Sequence, residues 1–424
     1  MSLVIRNGHV IDPSSATDRI ADVLLADGKI AAVGEGLTAP GAEVFDASGM
    51  IVAPGFIDMH VHLREPGFEH LETIESGSRA AAAGGFTSIC CMPNTKPVND
   101  SATVTRYIVE TAQRKAVVNV FPIGAITKGS AGEELAAIGA MRAAGAVAIS
   151  DDGRPVMNSR VMRRAMEFAR SYQVPVIDHC EDLNLSAGGD MNEGLPSVRW
   201  GLRGIPAASE DVMVARDLVL AQLTGARFHV AHISTRNAVA MVEFARRQGL
   251  AVTCEATPHH FSLTDAEMPP YDSNYKMKPP LRAGCDCAAV VEGVAAGTVT
   301  AIATDHAPHA GSEKMQEFEA CPFGIIGLET ALALTLQQLV KPGKITLNRM
   351  VELFTTGPES VLHLGRGTLR PGAPGDITVF ATDFEWTYDV NQSPSRSRNS
   401  PFHGRTFQGG PTATIVNGQI VWQL

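Results

Sequence analysis

Between residues 57 and about 305, short apolar runs rich in β-branched residues alternate with alanine-rich stretches of helical length, and this constrains the fold more than any other feature of the chain. The runs 57–62, 87–92, 117–123, 147–150, 174–178, 227–231, 251–255 and 299–304 are predicted strands, and 73–83, 133–144, 159–172, 210–223 and 237–247 are predicted helices. Several helical stretches stop at glycine (Gly84-Gly85, Gly145, Gly225, Gly249), where a left-handed cap closes the last turn. The strands are nearly unbroken hydrophobic runs, as expected when both sheet faces are covered. Eight strands, each followed by a crossover helix, predict a closed parallel (β/α)8 barrel of the TIM type. An open, doubly wound sheet is the alternative, and it accounts less well for the number eight.

The two chain ends have a different texture. Residues 1–54 and 366–424 carry short alternating runs separated by turn signals at Asn7-Gly8, Asp27-Gly28, Ser48-Gly49, Pro371-Gly372, Gly409-Gly410 and Asn417-Gly418. The simplest arrangement pairs both ends into one small β-sandwich beside a barrel of residues 55–365, and 424 residues suit one large domain plus a smaller one. Residues 183–204 and 310–321 read as long polar loops over the barrel mouth, mobile and without packed elements.

Polar residues stand where the predicted barrel strands end, and that is the face on which such barrels carry their chemistry. His60 and His62 end the first strand, two apart and therefore on one face. Asp151 follows the fourth strand, His179 the fifth, His232 the sixth and Asp305 the eighth. Singly, each has a plain structural reading as a core histidine or a helix cap; six at one rim are hard to reach by chance. Four imidazoles and two carboxylates suit a pair of borderline divalent ions such as Zn2+, one aspartate serving as bridge. Such ions make a shared water far more acidic, and a carboxylate beside it can pass its proton to a leaving nitrogen. The set points to metal-assisted hydrolysis of an amide-like bond.

Charge and composition remove other classes. The net charge is −10 with no Lys/Arg-rich run, which argues against nucleic acid and anionic membrane as partners. No apolar stretch reaches the roughly 20 residues of a membrane span. The N-terminal residues lack the basic and apolar regions of a signal peptide, and seven cysteines without a C-x-x-C pair suit reduced thiols, so a cytoplasmic location is expected.

Particular motifs sharpen the reading. G-F-I-D-M-H-V-H-L-R-E-P-G (55–67), C-M-P-N-T (91–95), S-D-D-G (150–153), D-H-C-E-D (178–182), H-V-A-H-I-S-T (229–235), P-P-L-R (279–282) and T-D-H-A-P-H (304–309) run along nearly the whole chain. With these pieces the sequence resembles the amidohydrolase superfamily and, within it, the bacterial type I dihydroorotases. The resemblance implies interconversion of N-carbamoyl-L-aspartate and L-dihydroorotate in pyrimidine biosynthesis. It implies that His60, His62 and Asp305 hold one zinc, that His179 and His232 hold a second, and that Asp151 bridges them. No lysine lies near the fourth strand to supply the carboxylated bridge many relatives use. Asp305 would be the catalytic acid and base. Substrate contacts would fall on His62, Arg64, Asn94 and His309, with backbone groups of Phe323 and Gly324 at the ring amide. The chain departs from the family at Lys278, where an asparagine is usual; its cation is a further candidate contact for the anionic substrate, with a solvent-facing side chain as the alternative. A homodimer and association with aspartate carbamoyltransferase are further expectations of the resemblance. The competing readings are a hydantoinase- or allantoinase-type cyclic amidase and a non-catalytic scaffold for the transferase.

Overall fold

A computed structural model describes residues 2–424. Eight parallel strands follow one another in chain order around one sheet: Phe56–Val61, Phe86–Cys91, Asn119–Gly124, Ala148–Ile149, Val176–Asp178, Phe228–Val230, Val252–Ala256 and Ala301–Ile302. The ring is drawn together where Val61 bridges His306 and the His62 N–H donates to the His306 carbonyl at 2.9 Å. The TIM-type reading holds; the fourth, fifth, sixth and eighth strands are two or three residues long, shorter than their apolar runs suggest.

Local chemistry explains the helices that surround it. Ile74–Ala83 begins where the Thr73 hydroxyl accepts from the Ser76 N–H, buries Ile74, Ala80 and Ala81, and stops at Gly84-Gly85. A Cβ at Gly84 would stand 2.2 Å from the Leu328 carbonyl, so the chain passes too closely for any other residue. The helix expected over 133–144 forms only at Ile138–Ala144. Its first residues are used differently, since Leu135 pairs with Thr127 and Glu134 with Lys128.

Strands from both chain ends build a second, eight-stranded sheet, ordered Gln419–Gln423, Thr406–Val416, Ile377–Thr387, Ile51–Pro54, Ser2–Asp12, Thr17–Ala26 and Lys29–Gly34, with Glu43–Asp46 beside Ser2–Asp12. Ile5, Val23, Val52, Ile377, Val379 and Ile415 form its core. Asp27-Gly28 and Asn417-Gly418 take the left-handed backbone that a tight hairpin requires. Asn7-Gly8 does not turn the chain; it forms a bulge inside Ser2–Asp12, where the register slips between Ile5 and Gly8. Phe56 of the barrel joins the two bodies, stacked on Phe354 at 5.0 Å and tilted against Phe380 of the end sheet at 5.9 Å. Each such ring contributes about 1.5–3 kcal/mol by leaving water.

Two features bear on the barrel mouth. Residues 388–405 leave the end sheet between Ile377–Thr387 and Thr406–Val416 and run as a strap along the barrel's loops. The segments expected as loops without packed elements carry structure. Met191–Asn192 pairs with Gly204–Ile205, Leu195–Trp200 and Gly311–Lys314 are helical, and the buried Lys314 ammonium donates to the Ser273 and Pro322 carbonyls. No helix among the described residues is long and apolar enough to cross a membrane.

Candidate metal centre

His60 lies inside the first barrel strand and His62 one residue past it, so both rings share the inner face. His60 Nδ1–H donates to Glu255 Oε1 (2.7 Å), and His62 Nδ1–H donates to Asn94 Oδ1 (2.8 Å). With its proton on Nδ1, each neutral ring would turn an Nε2 lone pair inward. His62 Nε2 is 3.0 Å from Asp305 Oδ1, and His60 Nε2 is 3.4 Å from Asp152 Oδ1 and 3.5 Å from Asp305 Oδ1. Across the mouth, His179 follows the strand Val176–Asp178; its Nε2–H donates to Glu181 Oε2 (3.0 Å) and its Nδ1 faces His232 Nε2 (3.0 Å). Three of the four histidines are thus held from behind by an acceptor, the arrangement that orients metal-binding imidazoles.

One carboxylate lies among all four rings, and it is Asp152. Its oxygens stand 3.4 Å from His60, 3.5 Å from His62, 3.7 Å from His179 and 3.6 Å from His232. The structure does not bring Asp151, the expected bridge, into this group. Asp151 Oδ1 accepts from the Ile126 and Thr127 N–H groups and its Oδ2 from the Thr127 hydroxyl, which commits it to the turn after the third strand. The physical reason is phase: the fourth strand ends at Ile149, and adjacent residues past it turn opposite ways.

The donor set fits a divalent pair. His60, His62 and Asp152 form one group with ligand atoms within 4.8 Å of one another; Asp152, His179 and His232 form a second, and His60, His232 and Asp305 a third. His60 Nε2 and Asp152 Oδ1 are buried without a hydrogen bond, a costly state unless a cation lies between them. Burial alone would raise the Asp305 carboxyl, yet His60 and His62 hold it at about 2. Burial likewise opposes the charge on His179, and Asp152 and Glu181 overcome it, lifting the ring to about 10. Closely set carboxylates that pull neighbouring imidazoles toward the charged form make a field that a metal cation would satisfy.

Arg64 takes a left-handed backbone just beyond His62, and its Nε donates to the Pro308 carbonyl at 3.2 Å. Its NH2 donates to His309 Nε2 at 3.4 Å, while His309 Nδ1 meets Glu313 at 3.1 Å. Burial, then the Arg64 and Lys314 charges, hold His309 neutral, near a pKa of about 2. Phe323 and Gly324 adjoin this group: a Cβ on Gly324 would stand 2.7 Å from His309 Cδ2. Asn94 lies against the metal ligands, accepting from His62 and donating to Asp152 Oδ2 at 3.4 Å. The Lys278 ammonium pairs with Glu181 Oε1 at 2.8 Å.

Sequence reasoning missed Asp152, Glu181 and Glu255. Glu255 is the one charged residue of the seventh strand, Val252–Ala256, and Glu181 stands two residues past His179, so a search for acids on the barrel strands and beside each ligand would have found both.

The chain is similar over its whole length to known proteins. A dihydroorotase of Solibacter usitatus (strain Ellin6076) is 81% identical over 422 residues, covering 100% of this chain and 98% of that protein. A dihydroorotase of Pelotomaculum thermopropionicum is 53% identical over 423 residues, with 100% and 99% covered. Among solved structures, the L-hydantoinase (dihydropyrimidinase) from Arthrobacter aurescens superposes with a TM-score of 0.88 at 25% identity, covering 99% of this chain and 96% of that one. The dihydropyrimidinase from Brevibacillus agri NCHU1002 shares the fold, with a TM-score of 0.85 at 24% identity and 100% and 95% covered. A family model described as Dihydro-orotase-like matches residues 49–238. With identities of this size over its full length, the chain belongs to the dihydroorotase family.

Proposed function

We propose that the chain is a zinc-dependent cyclic amide hydrolase that interconverts N-carbamoyl-L-aspartate and L-dihydroorotate. The observation that carries this reading is a guanidinium and a neutral imidazole, Arg64 and His309, 3.4 Å apart beside the Asp152-centred cluster. A neutral cyclic amide has no charge for that guanidinium; the carboxylate of dihydroorotate matches it.

His60, His62 and Asp305 would hold one ion and His179 and His232 the other, with Asp152 between them. Zinc in this position would polarise the amide carbonyl and acidify a water molecule. Asp305, held ionised by its histidine neighbours, takes the proton of the attacking water and delivers it to the ring nitrogen as the amide bond breaks. In ring closure the same carboxyl gives and takes that proton in reverse. Arg64 pairs with the substrate carboxylate, and the backbone of Phe323 and Gly324 aligns the ring amide. Glu255, Asn94 and Glu181 keep the lone pairs of His60, His62 and His179 turned inward, so these three meet the ion without rearranging.

We read the working form as a cytoplasmic homodimer. Support comes from Phe168, Val219, Leu223 and Phe244, exposed on the outer faces of Ser159–Ser171, Ala208–Thr224 and Arg236–Arg247, helices that pack side by side. Light scattering decides this point.

The function is tested with zinc-replete protein on L-dihydroorotate and on neutral dihydrouracil. Preference for the first is expected, and Arg64→Met should lose it at a cost of about 2–5 kcal/mol in transition-state binding while retaining zinc. An Arg64→Met protein with unchanged kcat/KM on dihydroorotate would contradict the reading.

A further inference from the structure

The strap of residues 388–405 carries an inward row of small polar side chains. Ser395, Ser397 and Asn399 are buried, whereas Arg396 and Arg398 between them point to solvent, the period-2 pattern of an extended segment. Each inward residue bonds a loop at the barrel mouth. The Ser395 hydroxyl and the Arg396 N–H donate to Glu72, whose Oε2 also meets His306 Nε2 at 3.1 Å. The Ser397 hydroxyl donates to the Leu71 carbonyl at 2.7 Å.

Asn399 does more than its neighbours. Its Nδ2 donates to the Ala307 carbonyl (2.9 Å) and the Gly324 carbonyl (3.0 Å), and its Oδ1 accepts from the His309 N–H (3.1 Å). Its own carbonyl accepts from the Ile326 N–H at 3.0 Å. One side chain, 2% exposed, thus ties the loop bearing His309 to the loop bearing Gly324. Those loops approach so closely that a Cβ on Gly324 would stand 2.6 Å from the Ala307 carbonyl oxygen. Only a primary amide supplies this pattern of two donors and one acceptor; an aspartate would turn an anionic oxygen toward two carbonyls.

We propose that Asn399, contributed by the end sheet and not by the barrel, is a positioning residue that sets the spacing of His309 and Gly324 and thereby the fit of the substrate's carboxylate and ring amide. This rests on the proposed function for the role of those two residues. Asn399 touches no reacting atom, so its loss acts on binding more than on proton transfer. Misplacing a binding group by about 1 Å can cost about 10²-fold.

The test compares Asn399→Ala with Ser397→Ala, which cuts the adjacent strap bond without touching His309 or Gly324. In zinc-replete protein, Asn399→Ala should raise KM for L-dihydroorotate by about tenfold or more, with kcat changed less than about threefold and metal content unchanged. Ser397→Ala should leave KM within about twofold even if Tm falls. An equal KM shift in both variants, or a lower Tm with unchanged KM in Asn399→Ala, would overturn the proposal. Should Asn399→Ala fail to fold, Asn399→Ser retains a donor hydroxyl and is read by the same criteria. If the unaltered enzyme does not turn over dihydroorotate, the functional reading fails instead. Crystal structures still decide the positioning claim: a widened His309–Gly324 separation in the variant supports it, and superimposable loops refute it.

Discussion

On the His60–His62 side of the cluster, each outer imidazole nitrogen has a hydrogen-bond partner, Glu255 inside the barrel and the half-buried Asn94 at its mouth. The opposite side is built more loosely. His179 is held by Glu181, which is held in turn by Lys278, a side chain 25% exposed; His232 Nδ1 is buried with no hydrogen-bond partner. His60 lies within its strand and His62 and His179 directly follow theirs, while His232 stands two residues past Val230. A pair of ligands whose outer nitrogens are both held loses less freedom when a metal arrives than a pair with only one held. The first half should therefore bind the tighter ion, and the second half should be the one that chelators empty.

The largest expected effect falls on the proton-transfer group of the tight half. Asp305→Asn should retain most of the metal and lose about 10²–10⁴ in turnover, because an amide still offers an oxygen but cannot carry the proton. Near-normal turnover in a metal-replete variant would remove Asp305 from its assigned role. Next comes the residue that both halves share. Asp152→Ala should lower metal content in both, measured by atomic absorption after dialysis, since its oxygens face all four histidines. A variant that still bound two ions would break the shared-carboxylate reading.

Lys278→Met sharpens the contrast between halves. Removing the cation that fixes Glu181 should weaken only the second-half ion, by about 10–100-fold, as outer-shell losses commonly do. A two-step chelation titration reads this directly, and weakening of the tighter step would mean that Lys278 acts elsewhere. The smallest effect is expected at Asp151. Asp151→Ala strips acceptors from buried N–H groups of Ile126 and Thr127 and should cost about 1–3 kcal/mol of stability in urea unfolding while leaving both ions in place. Loss of metal there would reverse the assignments of Asp151 and Asp152.

These differences also mark where the sequence was legible. The eight strands could be read because both their faces are buried, which writes them as continuous apolar runs. His60 and His62 could be read because they lie on or beside a strand, where period 2 holds. Asp152 could not, because its strand ends at Ile149 and the intervening turn resets the phase. The Asn7-Gly8 pair has the composition of a hairpin turn, and only the longer register of Ser2–Asp12 against Thr17–Ala26 makes it a bulge. Asn399 lies in a segment with no regular element around it, and its partners are more than 70 residues away, beyond any local pattern. What sequence conveys well is periodic burial; what it conceals is which of two adjacent polar residues turns inward.

Asp152 is expected to join two metal positions of unequal strength. Anomalous diffraction at the zinc edge, on crystals grown with zinc and then exposed to graded chelator, tests it most directly. Two peaks are expected about 3.5–4 Å apart, as in two-metal sites. One should be ligated by His60 and His62 and the other by His179 and His232, with Asp152 between them, and the second should fade first. A single peak at saturating zinc, a bridge from Asp151, or earlier loss of the His60–His62 ion would contradict the account.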